Sequence, residues 1–149
     1  MKLAEALQER ADLNRQIEQL RSRLSHNAIV QEGEAPAEDP GDLLARLDRA
    51  TARLEELMAS INLANSRTVV NDKTLTQIIA RKDCLRLRLE AYRELAETAS
   101  QTARRATRSE IRILSTVDVK TIQAQVDTMA KELRLLDNEL QQTNWTTEL

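Results

Sequence analysis

The sequence contains few of the residues that end helices and few aromatic residues. Its 149 residues include two Gly, two Pro, one Cys, one His and no Phe, and aromatic residues make up 1% of the chain. With so little Gly and Pro, few turns can form, which favours a small number of long helices. Tyr92 and Trp145 are the only aromatic residues. The core must therefore be aliphatic.

The same scarcity excludes several kinds of site. Cys84 has no second cysteine to pair with, and we expect it to be a small buried hydrophobe. His26 has no Glu three residues before it, so the Glu-x-x-His pairs of helical metal sites are absent, and we expect it at the end of the first helix. Gly33 and Gly41 are far from any phosphate-loop pattern. The sequence predicts no catalytic residue, no metal and no cofactor.

The sequence also lacks long apolar runs and a large net charge of either sign. The N-terminal "MKLAEALQER" has no signal-peptide core, and no apolar run exceeds three residues. Basic and acidic residues nearly balance, 22 against 24, so no global charge attracts DNA or an anionic membrane. We therefore expect a cytoplasmic protein.

What the chain does have is helical periodicity. Four segments repeat apolar residues at spacings of three and four, which indicates narrow helical seams. The sequence predicts an all-α single domain over 1–149, folded as an antiparallel bundle of four long helices with coiled-coil-like seams. A shift of 72 residues superposes the apolar pattern of the first helical hairpin weakly on that of the second. The predicted helices are 2–27, 40–65, 74–103 and 117–143. The seam residues are Leu3, Ala6, Leu13, Ile17, Leu20 and Leu24; Leu47, Ala50, Leu54, Leu57, Ile61 and Ala64; Ile78, Leu85, Leu89, Tyr92, Ala96 and Ala99; and Val119, Ile122, Val126, Met129, Leu133, Leu136 and Leu140.

Local signals mark the helix starts and two extended pieces. Asp39 followed by Pro40 is typical of a capped helix start, Asp72 or Thr74 opens the third helix, and Ser115 resembles the first residue of a capping box. Two pieces in the connections, "RTVV" (67–70) and "SEIRIL" (109–114), alternate as strands do. They are candidates for a minor two-stranded ribbon.

Three groups of residues are candidates for interactions. The connection 28–39 is acidic, through Glu32, Glu34, Glu38 and Asp39, and we call it the acidic loop. We expect it to pair, within one chain or across an interface, with a basic patch made of Arg104, Arg105, Arg108 and Arg112. Polar residues on or beside the seams are candidates for setting register and partner number: Arg10, Lys82, Asn62 and Asn65.

The chain ends in "LQQTNWTTEL", with Trp145 near the terminus. Asn144 tolerates the left-handed conformation that ends many helices, so the sequence predicts a turn there. Such a turn lets Trp145 pack on its own bundle or on a neighbouring subunit. A buried tryptophan would pin the tail.

Several stretches resemble one family from end to end. "KLAEAL" with "RADL", "VQEGEAPAEDP", "RSEI" with "STVDV", and "NWTTEL" are similar to small bacterial helical proteins that are sometimes labelled septicolysin-like. The resemblance implies no catalytic residues, and its label implies a pore-forming cytolysin.

From the residues themselves we expect a different function from that label. The sequence favours a non-enzymatic helical scaffold or protein-interaction module that forms homo-oligomers, with an unknown protein as a further partner. Two alternatives stay open, a membrane-active protein and a nucleic-acid-binding protein, the latter through the arginine patch.

Overall fold

Four long helices and one small sheet make up the fold of the computed structural model, which describes residues 1–102 and 111–149. The all-α prediction is confirmed, and so is the minor two-stranded sheet. The elements in chain order are α1 Leu3–His26, α2 Pro40–Arg67, β1 Val69–Val70, β2 Lys73–Thr74, α3 Leu75–Ala99 and α4 Val119–Thr146.

The chain divides into two compact units, Met1–Val69 with Thr143–Leu149, and Val70–Gln142. In the first unit α1 packs on α2. A salt bridge joins Arg23, near the end of α1, to Glu38, just before the start of α2. A second salt bridge joins Glu9, near the start of α1, to Arg53, in the middle of α2. The two helices are therefore antiparallel.

In the second unit α3 and α4 pack through an aliphatic cluster. Leu85 and Leu89 of α3 meet Val126 and Met129 of α4, and Tyr92, Ala130, Leu133 and Leu136 pack around them. Lys82 lies earlier in α3 than Leu85 and Leu89, and its partner Asp137 lies later in α4 than Val126 and Met129. This pair of helices is therefore also antiparallel.

The predicted seams are the buried faces of the helices. Every seam residue is buried or half-buried. Three residues outside the predicted stripes are also buried: Ala4 in the first turn of α1, Leu43 in the first turn of α2, and Leu75, the first residue of α3. Leu3 and Leu75 open α1 and α3 72 residues apart, which matches the predicted shift, whereas Pro40 and Val119 open α2 and α4 79 residues apart, which does not.

Two of the predicted helix starts are confirmed and one is wrong. Asp39 caps α2 by accepting a hydrogen bond from the Gly41 N–H at 3.1 Å, with Pro40 as the first helical residue. Thr74 caps α3. At α4, however, the cap is Asp118 and not Ser115, because Asp118 Oδ1 accepts from the Lys120 N–H at 3.1 Å and its longer side chain also reaches Thr121.

The sheet forms within one connection. Strand β1 pairs with β2 across Asn71 and Asp72, whose φ values of 49° and 64° place both in the left-handed region that a two-residue hairpin turn needs. The predicted pairing of "RTVV" with "SEIRIL" is therefore wrong, since β1 pairs with its own neighbour and residues 111–114 form no strand. Positions 109 and 110 lie outside the described residues.

Two helix ends differ from the sequence prediction. Helix α3 ends at Ala99, before the predicted 103, where the Ser100 hydroxyl and N–H both donate to the Ala96 carbonyl. Helix α4 continues through Asn144 and Trp145 to Thr146, so the predicted turn at Asn144 is wrong. Trp145 keeps 51% of its surface exposed and is not buried in its own chain.

The tail is held by backbone pairing instead. The Leu3 N–H donates to the Thr147 carbonyl at 2.9 Å, and the Leu149 N–H donates to the Met1 carbonyl at 3.0 Å. Lys2 forms a salt bridge with Glu148 at 2.5 Å, which lowers the pKa of the Glu148 carboxyl. We call this contact between residues 1–3 and 147–149 the terminal clasp.

Removal of residues 147–149 is expected to lower the melting temperature by roughly 2–8 °C, because the two backbone hydrogen bonds to residues 1–3 are lost together with the ion pairs of Glu148 with Lys2 and with the Met1 amino group. Trp145→Ala should change it by less than about 2 °C, since half of that side chain is exposed. Calorimetry measures both shifts. A larger loss for Trp145→Ala than for the deletion would contradict the assignment of the clasp.

Candidate interaction surfaces

The acidic loop is anchored at its end by Glu38. Its carboxylate accepts two hydrogen bonds from the Arg23 guanidinium, one of them from Nε at 2.9 Å. The Glu38 N–H donates to Asn27 Oδ1 at 3.0 Å, and Asn27 in turn donates to the Arg23 carbonyl. The hydrogen bond from Arg23 lowers the pKa of Glu38, so this acid is already committed to its own chain.

The rest of the loop is free to face outward. Asp39 is used as the cap of α2, whereas Glu32 and Glu34 are exposed on either side of Gly33, whose φ of +87° only glycine adopts easily. Beside them Ile29 is 88% exposed and Val30 is 50% exposed. The loop therefore presents two acidic and two apolar side chains together.

The arginine patch falls mostly outside the described residues. Arg104, Arg105 and Arg108 lie there, and Arg112 is exposed. The predicted contact between this patch and the acidic loop stays a prediction.

The polar seam residues take different roles. Lys82, only 18% exposed, reaches from α3 to Asp137 on α4, so it fixes the register of this helix pair. Its bond to Lys82 lowers the pKa of Asp137. In the first unit Arg10 is half-buried, and its carbonyl accepts a hydrogen bond from the Asn14 side chain. Asn65 is half-buried, whereas Asn62 is exposed. Their role in setting partner number stays a prediction.

A second cross-helix pair was not predicted. The Arg53 guanidinium donates to both Glu9 oxygens, at 2.7 and 3.0 Å, and a third hydrogen bond reaches Glu56. The bond from Arg53 lowers the pKa of Glu9. Single-sequence periodicity does not show which charged residues meet across two helices, because that depends on the register of the pair.

Cationic side chains line a groove between α3 and α4, which we call the α3–α4 groove. Its floor is aliphatic, from Leu89, Ala130 and Leu133, and its edges carry Lys82, Arg86, Arg93, Arg134 and Asp137. The sequence signal was available: Lys82, Arg86 and Arg93 recur at spacings of four and seven and so share one face of α3. Sequence reasoning missed it because the α4 residues complete the site.

Two other predictions concern single residues. His26 is the last residue of α1, as predicted, with Nδ1 2.7 Å from the Ser22 carbonyl oxygen. Cys84 is exposed, so the prediction of a buried thiol is wrong.

The described part of the chain holds neither a cluster of metal ligands nor a helix that could span a membrane. Within residues 1–102 and 111–149 no three acidic, Cys or His side chains converge as metal ligands. Every helix in those ranges is too polar or too short to cross a bilayer.

Comparison with known proteins places the chain in a family. A model described as a family of unknown function (DUF6847) matches residues 10–149. The chain belongs to this family. It is also similar to a functionally unknown conserved protein from Corynebacterium diphtheriae whose crystal structure is solved, at 38% identity and a TM-score of 0.94 over 100% of this chain and 98% of that one. No protein with a curated function matches.

These matches refine the resemblance noted in the sequence. A helical family that extends nearly end to end is confirmed, and its function is unknown. Neither match carries the septicolysin label, so nothing in them supports a pore-forming activity.

Asp137→Asn is expected to lower the melting temperature at neutral pH by roughly 2–4 °C, because Lys82 loses its charged partner. The folded-state pKa of Asp137 is depressed, so the contribution is present above its unfolded pKa of about 4 and is lost as pH falls further. Thermal scans from pH 7 to 3 should show the melting temperatures of the wild type and the Asp137→Asn variant converging in acid. Asp127→Asn on the same helix is the matched control, and an equal effect there would contradict the assignment.

Proposed function

We propose that this protein is a non-enzymatic cytoplasmic helical scaffold or protein-interaction module that self-associates. The observation that supports it most is the amount of aliphatic surface on the outside of the helices. Leu87, for example, is 67% exposed although α3 already buries a complete apolar seam. Large apolar groups outside the core are typical of surfaces that bind another protein.

The exposed leucines are those that the periodicity placed off the seams. They lie on three of the helices: Leu44 and Leu63 on α2, Leu87 and Leu95 on α3, and Leu135 on α4. The seam residues are buried or half-buried within the chain, so we expect self-association to use mainly exposed residues outside them.

Helix α3 shows the clearest second face. Ala80, Cys84, Leu87, Ala91 and Leu95 recur at spacings of four and three, and all are exposed. This spacing places them together on one side of the helix, away from the buried Leu85 and Leu89. A helix with two apolar sides can pack in its own chain and in an assembly.

The two alternatives make different predictions. A membrane-active protein releases the contents of liposomes, whereas a scaffold leaves them intact. A nucleic-acid binder gives salt-dependent binding to DNA or RNA. Either result would replace the scaffold assignment.

Sedimentation equilibrium at micromolar concentration should give a mass of at least twice the 16.9 kDa of one chain. Leu87→Ser with Leu95→Ser should weaken the association with little change in melting temperature, because both side chains are exposed. Leu89→Ala is the contrasting control: this residue is buried, and the change should cost about 2–5 kcal/mol of folding stability.

A wild-type protein that sediments as a single chain at every concentration would contradict the proposal. An unchanged association of the Leu87 and Leu95 variant would remove the observation on which it stands.

A further inference from the structure

The α3–α4 groove has the chemistry of a site for an acidic, partly apolar peptide segment. Its aliphatic floor offers burial to apolar side chains, and its four cationic edge residues outnumber the one acid. Guanidinium groups bind carboxylates through paired, directional hydrogen bonds. An acidic segment with apolar side chains matches both parts.

Two of the four cations are free to bind a ligand. Lys82 is bonded to Asp137, and Arg86 lies 3.9 Å from Asp83. Arg93 and Arg134 are exposed and form no salt bridge with any residue that the structure describes. The groove therefore holds two uncompensated guanidinium groups above an apolar floor.

The acidic loop carries the complementary set of side chains. In "IVQEGE" (29–34) two exposed apolar residues, Ile29 and Val30, precede two exposed acids, Glu32 and Glu34. Residues 31–34 form a turn, in which the Glu34 N–H donates to the Gln31 carbonyl at 3.0 Å and Gly33 has a φ of +87°. The turn holds Glu32 and Glu34 close together, so the loop presents two negative charges at one place to the basic groove.

We propose that the acidic loop of one copy docks in the α3–α4 groove of a second copy. This inference rests on the proposed self-association and names the contact that makes it specific. Each copy has one loop and one groove, so reciprocal exchange gives a closed dimer with two equal contacts. Ile29 and Val30 then lie against Ala130 and Leu133, the half-buried residues of the floor, and Glu32 and Glu34 pair with Arg93 and Arg134.

Charge exchange between copies tests this contact. The groove variant carries Arg93→Glu and Arg134→Glu, and the loop variant carries Glu32→Arg and Glu34→Arg. Each variant alone should dissociate at least about tenfold more readily than the wild type, because like charges then meet at both contacts. Mixed in equal amounts, the two variants should form a heterodimer, since each loop finds an oppositely charged groove on the other chain.

Matched controls separate a local contact from net charge. Arg15→Glu with Arg49→Glu changes the charge as the groove variant does, and Glu55→Arg with Glu94→Arg changes it as the loop variant does; all four residues are exposed and lie outside both surfaces. We expect no gain from mixing a control with the variant of opposite charge. The Arg15 and Arg49 control with the loop variant, and the Glu55 and Glu94 control with the groove variant, should associate no more tightly than the wild type does with itself. Circular dichroism and melting temperature confirm that every variant is folded.

The outcomes distinguish this inference from the proposed function. If the wild type associates and the groove and loop variants associate equally well, the docking site is wrong and self-association stands. If folded variants fail to combine on mixing, the inference is also wrong. Loss of association on replacing Arg104, Arg105 and Arg108 by Ser, with the groove variant unaffected, assigns the loop to the arginine patch instead. A wild type that is a single chain contradicts both proposals.

Discussion

The structure depends on aliphatic packing along narrow seams, because the chain has no Phe and only two aromatic residues to supply large buried areas. Leu, Ile, Val, Met and Ala have to provide that area through many small contacts, and long helices give the number of contacts that is needed. Leu85 and Leu89 against Val126 and Met129 show the pattern. A core of this kind needs no buried hydrogen-bond partners, and among residues 1–102 and 111–149 no buried side chain is charged or polar.

Charged pairs specify the register of the helices, which the apolar seams alone do not determine. An aliphatic seam with a repeat of seven can slide by one heptad at little cost, since one leucine replaces another. Lys82 with Asp137, and Arg53 with Glu9, each join two helices at one defined register. These pairs are partly exposed and add little stability. Their effect is on the choice between alignments, and each compact unit has at least one.

The helices and their buried faces could be predicted from the sequence because both follow from a local period, and Asp39 with Pro40 or Thr74 with Gln77 are local signals as well. The hairpin at Asn71 and Asp72 is also a local feature, but Asp is common both in turns and at helix starts, so the sequence alone does not distinguish the two. Features that depend on distant residues cannot be predicted from a local period: the partners of Lys82 and Glu9, the α4 side of the groove, and the pairing of Leu3 with Thr147. The predicted burial of Trp145 rests on the size of its side chain, and size alone does not determine burial.

The terminal clasp makes residues 1–3 depend on residues far along the chain. Leu3 cannot complete its backbone bonding until Thr147 has left the ribosome, so the first turn of α1 waits for nearly the whole chain. A contact between residues so far apart in sequence closes a very long loop and raises the contact order. It also places residues 1–3 and 147–149 side by side, so a short linker could join residue 149 to residue 1 in a circular permutant of residues 1–149, with new ends opened in the exposed loop around Gly33.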